Sequence, residues 1–466
     1  MYIEEDDILI TQKQTDDYLK KFGLRRTLST LHLWGIGVGT VIAGTFFGWN
    51  YGLELSGSIG FLIATLIVSA FFVLLTYIFS NLSSLFPYTG GPYAYARKGL
   101  GSFEGYLTGI LTVIEFQFAS AAVAVSIDSY ISNIYPEMSS MKVALFCYLF
   151  FLLIEIIGVK QSAILQLVMT GTAIIALILF MIGTFGSVDL AYIALNRPFI
   201  NGYSGIIQAI PFAFWFYICI EGVSLSAEET INPQKNIVTG FRYSVLTVCL
   251  LNMIVLVICI STVDVDFLLS KNSPLSSVLE VVQPNDKVVY LVFTALAISS
   301  LLASLNGMIN GYSRQVFALS RAGYLPKVLS RIHSTAKTPY WAIIIPGIIS
   351  IFLFYNLNAK DLIFIAGIAA LFMYIFVIHS YMKLKINENK KLGSKIHKRK
   401  WYLGLYIINI FLFAIGMIAI VKTGFILETT VFFTIVVLYY IFVGRKFIAD
   451  DAPEEMEARV GKIKIK

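Results

Sequence analysis

Apolar runs of about twenty residues, parted by short polar connections, recur from residue 30 to residue 447. About twenty helical residues cover the roughly 30 Å hydrocarbon layer of a bilayer. The pattern therefore predicts spans near 30–54, 57–82, 103–131, 141–159, 161–186, 204–227, 237–262, 288–313, 339–357, 361–384, 401–422 and 425–445. These are twelve transmembrane helices in an all-α membrane protein, and no connection is long enough to hold a soluble domain. The predicted organisation is a segment at 1–29, a ten-span core at 30–384, two additional spans at 401–447 and a charged tail at 448–466.

Composition supports this reading. Of 466 residues, 57% are hydrophobic and only 14% charged, whereas a soluble chain carries about a quarter charged residues. The opening "MYIEEDDILITQKQTDD" is acidic and polar, unlike a cleaved signal peptide, so the first apolar run is expected to stay as a span. With a cytoplasmic N-terminus, 29 of the 35 lysines and arginines fall on the cytoplasmic side and 6 outside. Both termini are thus expected in the cytoplasm, and the tail is expected to be mobile. The cytoplasmic set takes in Lys20, Lys21, Arg25 and Arg26, then Arg97 and Lys98, then Arg321, Lys327, Arg331 and Lys337; the densest stretch is "KLKINENKKLGSKIHKRK". The net charge of +7 then reflects topology and anionic lipid headgroups rather than nucleic acid. Cys147, Cys219, Cys249 and Cys259 all lie in apolar runs, so neither a disulfide framework nor a zinc site is read. His32, His333, His379 and His397 have no second ligand at a useful spacing, and no metal site is assigned.

Two spans are written to break. In "GIGVGTVIAGTFFGWNYG" (35–52), six of eighteen residues are glycine. Span 6, "GIIQAIPFAFWFYICIEGVSLSAEE", carries Pro211 and then Glu-Gly-Val-Ser at 221–224. Proline removes a backbone donor, and glycine eases departure from the helix. Unwound backbone survives at membrane depth only where protein or a cavity supplies partners. The first-span glycines also stand four apart (Gly35 and Gly39, Gly44 and Gly48, Gly48 and Gly52), a spacing that lets helices pack closely. Packing alone leaves the second break unexplained. Interrupted spans at matching positions, five apart, suit a transporter built from a five-plus-five inverted repeat with two extra helices.

Four segments carry a family resemblance: "GVGTVIAGTFF" (37–47), "FPYTGGPYAYARKGLG" (86–101), "WFYICIEGVSLSAEETINPQKNI" (215–237) and "GYSRQVFALSRAGYLP" (311–326). In this order they resemble the amino acid–polyamine–organocation transporter superfamily, with its leucine-transporter-type fold, over nearly the whole chain. "FFGWNYGL" and "IPFAFWF" look most like its ethanolamine-permease branch.

The resemblance implies roles for particular residues. A substrate carboxylate would sit on the opened helix end at Ala43, Gly44 and Thr45, where free N–H groups and a positive dipole end favour an anion. The ammonium group would meet carbonyls near Val38 and Ile42 in span 1 and near Phe216 and Cys219 in span 6, and Trp215 would cover the substrate. Thr45 departs from the ethanolamine branch, in which an acid is common there; a threonine leaves the dipole uncompensated and favours a zwitterionic amino acid. Glu221 matches an acidic family position, and Glu115 in "VIEFQFASA" is a second candidate for proton sensing or gating, because ionised acids at mid-bilayer are costly. Arg314 and Arg321 match the signature of a cytoplasmic gate, with snorkelling charge as the competing reading. The lysine that some proton-driven relatives place in span 5 is missing: the position is Ala173, and Lys160 reads as a topology charge. The coupling ion is expected to be a proton, with sodium as the alternative on Ser299, Ser300 or Ser304.

The expected function is secondary active import of amino acids across a bacterial inner membrane by alternating access, with no cofactor. An ethanolamine or small-amine permease is the alternative, and a transporter-like nutrient receptor the second. The partners are a small-molecule substrate and the bilayer, with oligomeric state left open. No metalloenzyme motif, nucleophile elbow or phosphate loop points to an enzyme, and no filter loop or charged ring to a channel.

Overall fold

The computed structural model describes residues 24, 26–135, 137, 141–391, 399–424, 426–449 and 452–460. Lys20, Lys21 and Arg25, residues 392–398 of the basic connection (with His397), and 461–466 of the tail lie outside the described residues.

Helices dominate, and the only β pairing among the described residues is an isolated bridge between Leu28 and Thr230. The first span is divided into α1 (Thr30–Val41) and α2 (Ala43–Phe46). Next, α3 (Tyr51–Leu85) holds the end of the first span and all of the second, with a kink at Gly57. That glycine has φ +74, and an added Cβ would stand 2.1 Å from the Arg197 carbonyl, so only glycine fits the corner. The chain continues through α4 (Pro92–Gly99), α5 (Ser102–Ile134), α6 (Lys142–Ile157) and α7 (Val159–Thr184). The sixth span is again divided, into α8 (Gly202–Phe214) and α9 (Gly222–Leu225). Then come α10 (Pro233–Thr262), the short α11 (Val265–Leu269) and α12 (Pro274–Val282), α13 (Lys287–Arg321), α14 (Tyr340–Asn356), α15 (Ala359–Lys391), α16 (Arg399–Thr423), α17 (Ile426–Phe442) and α18 (Pro453–Val460).

Among the described residues, eight helices are long and apolar enough to cross a membrane, and two shorter apolar helices are Thr30–Phe46 and Tyr340–Asn356. Predicted spans 4 and 6 miss the length test for different reasons. The fourth has 16 helical residues, ended by Gly158 at φ +157, and the sixth is cut by its break.

α1 packs against α7, α10 and α13, while α8 packs against α3, α15 and α16 and α9 against α1, α10 and α13, so both interrupted spans are enclosed. Outward-facing Leu66, Phe146, Ile182, Phe352, Ile410 and Leu427 leave an apolar perimeter suited to lipid tails rather than water. α17 stands at the edge, with Val436 its one buried residue. The tail corrects an expectation: Ala452, Pro453, Glu454 and Glu455 are buried, and α18 docks against α4. The helical body has two unlike ends. The basic end holds Ser29, α4, the end of α13 and the tail; the far end holds Tyr51, Lys360 and the α11–α12 connection.

Candidate functional site

The break in span 1 is held open by a side chain from α13. The Ala43 N–H donates to Ser304 Oγ at 3.0 Å, and that hydroxyl donates to the Gly39 carbonyl at 2.8 Å. Ser304 thus stands in for the direct Ala43-to-Gly39 bond of an unbroken helix. Ala43, Gly44 and Thr45 occupy the single turn of α2, which ends at Phe47 (φ −154) and turns through Gly48 (φ +86).

Three aromatic side chains then take the carbonyls left at the end of α2. Trp49 Nε1 donates to Thr45 O at 3.1 Å, Tyr130 Oη to Phe46 O at 2.9 Å and Trp215 Nε1 to Phe47 O at 2.8 Å. These bonds answer the demand that buried carbonyls find partners. The Trp215 ring meets Phe47 edge-on at 5.3 Å, and Trp49 clusters with Phe61 and Phe216, whose rings also touch each other. Just outside, a cavity of about 640 Å³ is lined by Phe47, Tyr51, Ser126, Ser129, Asn272 and Lys360.

In span 6 the irregular backbone runs from Trp215 to Glu221, ahead of the Glu-Gly-Val-Ser stretch expected to carry it. Gly222 to Leu225 instead form α9. Pro211 removes only one donor, so α8 continues to Phe214 before the chain leaves the helix. Cys219 sits in the left-handed region at φ +69, a conformation costly for a side-chain-bearing residue. Its N–H donates to Glu115 Oε1 at 2.8 Å, which ties this turn to α5.

The two breaks touch. A Cβ on Gly44 would stand 2.5 Å from the Trp215 carbonyl and 3.2 Å from Phe216 Cα. Asn252, from α10, spans them as well: it accepts the Thr45 hydroxyl and donates to the Phe216 carbonyl at 3.2 Å. The four carbonyls named for an ammonium group each accept one bond from the protein. Val38 O accepts from Ile42 N–H, Ile42 O from Thr45 N–H, Phe216 O from Asn252 and Cys219 O from Gly222 N–H. Each retains a second lone pair.

Glu115 and Glu221 are fully buried, and their carboxyl groups lie side by side. Tyr374 Oη donates to Glu221 Oε2 at 2.9 Å, while among the described residues no other side chain donates to Glu115 Oε2 or Glu221 Oε1. The three candidate sodium ligands separate: Ser304 spans the first break, Ser300 donates to Ala297 O at 2.6 Å, and Ser299 pairs with Thr172.

Arg314 and Arg321 are buried in a charged layer at the basic end. Arg314 Nη1 lies 2.7 Å from Glu155 Oε2, and Nη2 lies 3.0 Å from Glu229 Oε1. Arg321 forms a fork on Glu228 at 2.6 and 3.0 Å, stacks over Phe317 and also pairs with Glu454 of the tail. Burial pushes the Glu228 carboxyl up, but the Arg321 charge outweighs it and holds the group below the usual range. Burial pushes Glu229 up to about 7 against the pull of Arg314. Sequence reasoning assigned no role to Asn252, Tyr130, Tyr374, Glu155, Glu228 or Glu229; only Glu228 and Glu229 stand in a quoted segment, 215–237.

The family model described as "Amino acid permease" matches residues 32–456. The chain is 28% identical to an uncharacterized transporter of Rhizobium meliloti, over 69% of this chain and 70% of that one. It is 27% identical to the methylthioribose transporter of Bacillus subtilis, over 80% and 84% of the two chains. It is 26% identical to a branched-chain amino acid permease of the same organism, over 68% and 72%.

Proposed function

Because this chain belongs to the amino acid permease family, we propose that it is a secondary transporter that carries amino acids across the cell membrane by alternating access. On this reading the chain has twelve spans, ten of them in a five-plus-five inverted repeat, and its basic end faces the cytoplasm. The observation that carries the proposal is the contact of two helix breaks, Ile42–Asn50 and Trp215–Glu221, in the enclosed middle of the helices. The substrate's carboxylate is taken at Ala43, Gly44 and Thr45, and its ammonium group at the second lone pairs of Val38, Ile42, Phe216 and Cys219. Trp215 lies over it from the far end. Thr45 supports a zwitterion rather than a simple amine, since no acid stands at that position to hold a cation.

Coupling is assigned to a proton shared by Glu115 and Glu221. Two adjacent carboxylates without a countercation do not both ionise at membrane depth. The Glu115 carboxylate holds the Cys219 turn, so a proton moving between the acids loosens or restores the span 6 break. Ser304 is already committed to the span 1 break, which argues against sodium there. The relatives named above differ in the solute that their names state, at similar identity to this chain, so identity does not choose the side chain of the substrate.

The deciding experiment is uptake into proteoliposomes under an imposed proton gradient, with a panel of labelled amino acids and labelled ethanolamine. Gradient-driven accumulation of an amino acid, poorly competed by ethanolamine, is the expected result. Saturable ethanolamine uptake that amino acids barely compete with overturns the substrate reading. Binding without accumulation overturns transport itself in favour of a receptor.

A further inference from the structure

The C-terminal segment contributes charge to the closed basic end. Arg97, on α4, meets Glu455 through Nε at 2.8 and 2.9 Å and through Nη2. Tyr93 and Tyr324 each donate a hydroxyl to the same carboxylate at 3.0 Å. One residue earlier, Glu454 takes Arg321, which also holds Glu228 behind the sixth span. Glu455 is fully buried and Glu454 is 3% exposed. The approach of the tail is prepared by Gly323, at φ +87, where a Cβ would stand 1.9 Å from the Phe447 carbonyl. Beside it the Ala449 N–H donates to the Ala322 carbonyl at 2.9 Å. The segment therefore joins the end of α13 to α4, where Tyr93 and Tyr324 also meet edge-on at 5.7 Å.

The entry to α4 also touches α9 of the sixth span, where Gly91 meets Ser224 and Leu225. Ser224, on α9, is fully buried, and its hydroxyl lies 2.7 Å from where a Cβ on Gly91 would stand, at the entry to α4. Glu455 is bonded to α4 through Arg97, so the tail and α9 meet α4 from two sides.

We propose that residues 452–460 are an autoinhibitory latch, in which Glu454 and Glu455 clamp the basic end shut and must leave Arg321 and Arg97 before that end opens. This rests on the alternating-access reading. A latch of charged groups is physically suited to release, because all four groups regain hydration once apart, whereas separating an apolar plug exposes its surface at full cost. Without Glu455, Arg97 would be left buried with no acid partner, a state relieved by the movement of α4 toward water.

The test uses the full-length chain in proteoliposomes, with the native cysteines replaced by serine and Ser224→Cys as reporter. A membrane-impermeant maleimide is applied to the basic end and the labelling rate is read. Glu454→Gln combined with Glu455→Gln removes the latch from one side, and Arg97→Gln removes it from the other. Each is expected to speed labelling at least about fivefold, the lower bound of ordinary coupling between sites. Lys360→Gln, at the far end, is expected to leave the rate unchanged. Should one of the two latch variants fail to fold, the other carries the test. Rates within about twofold of the parent in a folded latch variant, or an equal rise in Lys360→Gln, overturn the proposal. Labelling needs no substrate, so a failed uptake panel and a failed latch are separate outcomes.

Discussion

The two ends of the central helix breaks are closed by different chemistry. At the far end the closure is aromatic: Trp215 lies over the breaks, bonded to the Phe47 carbonyl, with a cavity of about 640 Å³ immediately outside Phe47. At the basic end it is ionic, with Arg314, Arg321 and Arg97 set among Glu155, Glu229, Glu228, Glu454 and Glu455. An aromatic lid gives up one hydrogen bond and an edge contact when it moves. A buried ion pair gains little net stability over apolar packing, yet loss of one partner is severe because the other charge stays buried alone. The basic end therefore holds firmly while its pairs are intact, whereas each contact of the far end contributes singly.

The comparison is broken most severely at Arg314. Arg314→Gln leaves Glu155 and Glu229 facing each other in a buried site and is expected to destabilise the protein by about 3–5 kcal/mol. Thermal unfolding in detergent should show a large drop in midpoint. A drop comparable to that of a surface variant would mean that the ionic layer is hydrated and that the contrast between the ends is false.

Next is Gly44→Ala, which strikes between the two closures. The added Cβ would meet the Trp215 carbonyl at 2.5 Å, a backbone atom that no rotamer change can move. Overpacking of this kind costs about 1–3 kcal/mol and here separates the two breaks. Substrate binding should be lost while membrane insertion is retained. Unchanged uptake would remove the touching breaks from the mechanism.

These two residues show what was legible beforehand and what was not. Glycine, proline and intramembrane acids stand out against apolar runs, so the breaks, Glu115 and Glu221 could be picked from the sequence, while Arg314 came only with the family resemblance. The glycines proved to serve packing and breaking together: Gly37 lies against Ser244 and Gly39 against Thr170, while Gly44 admits the sixth span. Asn252, Tyr130 and Tyr374 are ordinary residues on long helices, and only tertiary placement aims them at broken backbone. Glu228 and Glu229 lie in the quoted segment 215–237, but their partners are 93 and 85 residues away along the chain, so the sequence assigns them no role. The tail misled for the same reason, although Pro453 followed by Glu454 and Glu455 is a helix-start pattern.

The far end is sharpened by Trp215→Phe, which keeps a ring but leaves the Phe47 carbonyl without its donor. One such bond is worth about 1 kcal/mol net, so the closed fraction should fall by less than about tenfold. The check is labelling of Cys219, as the single cysteine, by a maleimide added at the far end. A far larger increase would mean that Trp215 is the whole closure rather than one part of it.

The smallest effect belongs to the pair at the far rim. Lys360 Nζ and Glu54 Oε2 lie 2.8 Å apart, which on distance alone equals the bridges of the basic end. Their side chains are 47% and 53% exposed, however, against 0% for Arg314 and Glu155. Water screens the exposed pair and hydrates each partner when the other is removed, so the expected contribution is about 0–1 kcal/mol and falls with added salt. Glu54→Gln should leave the unfolding midpoint within the range of ordinary surface substitutions, alone or combined with Lys360→Gln. A loss approaching that of Arg314→Gln would show that distance, not burial, sets the strength of these bridges, and the two closures would then differ in appearance rather than in energy.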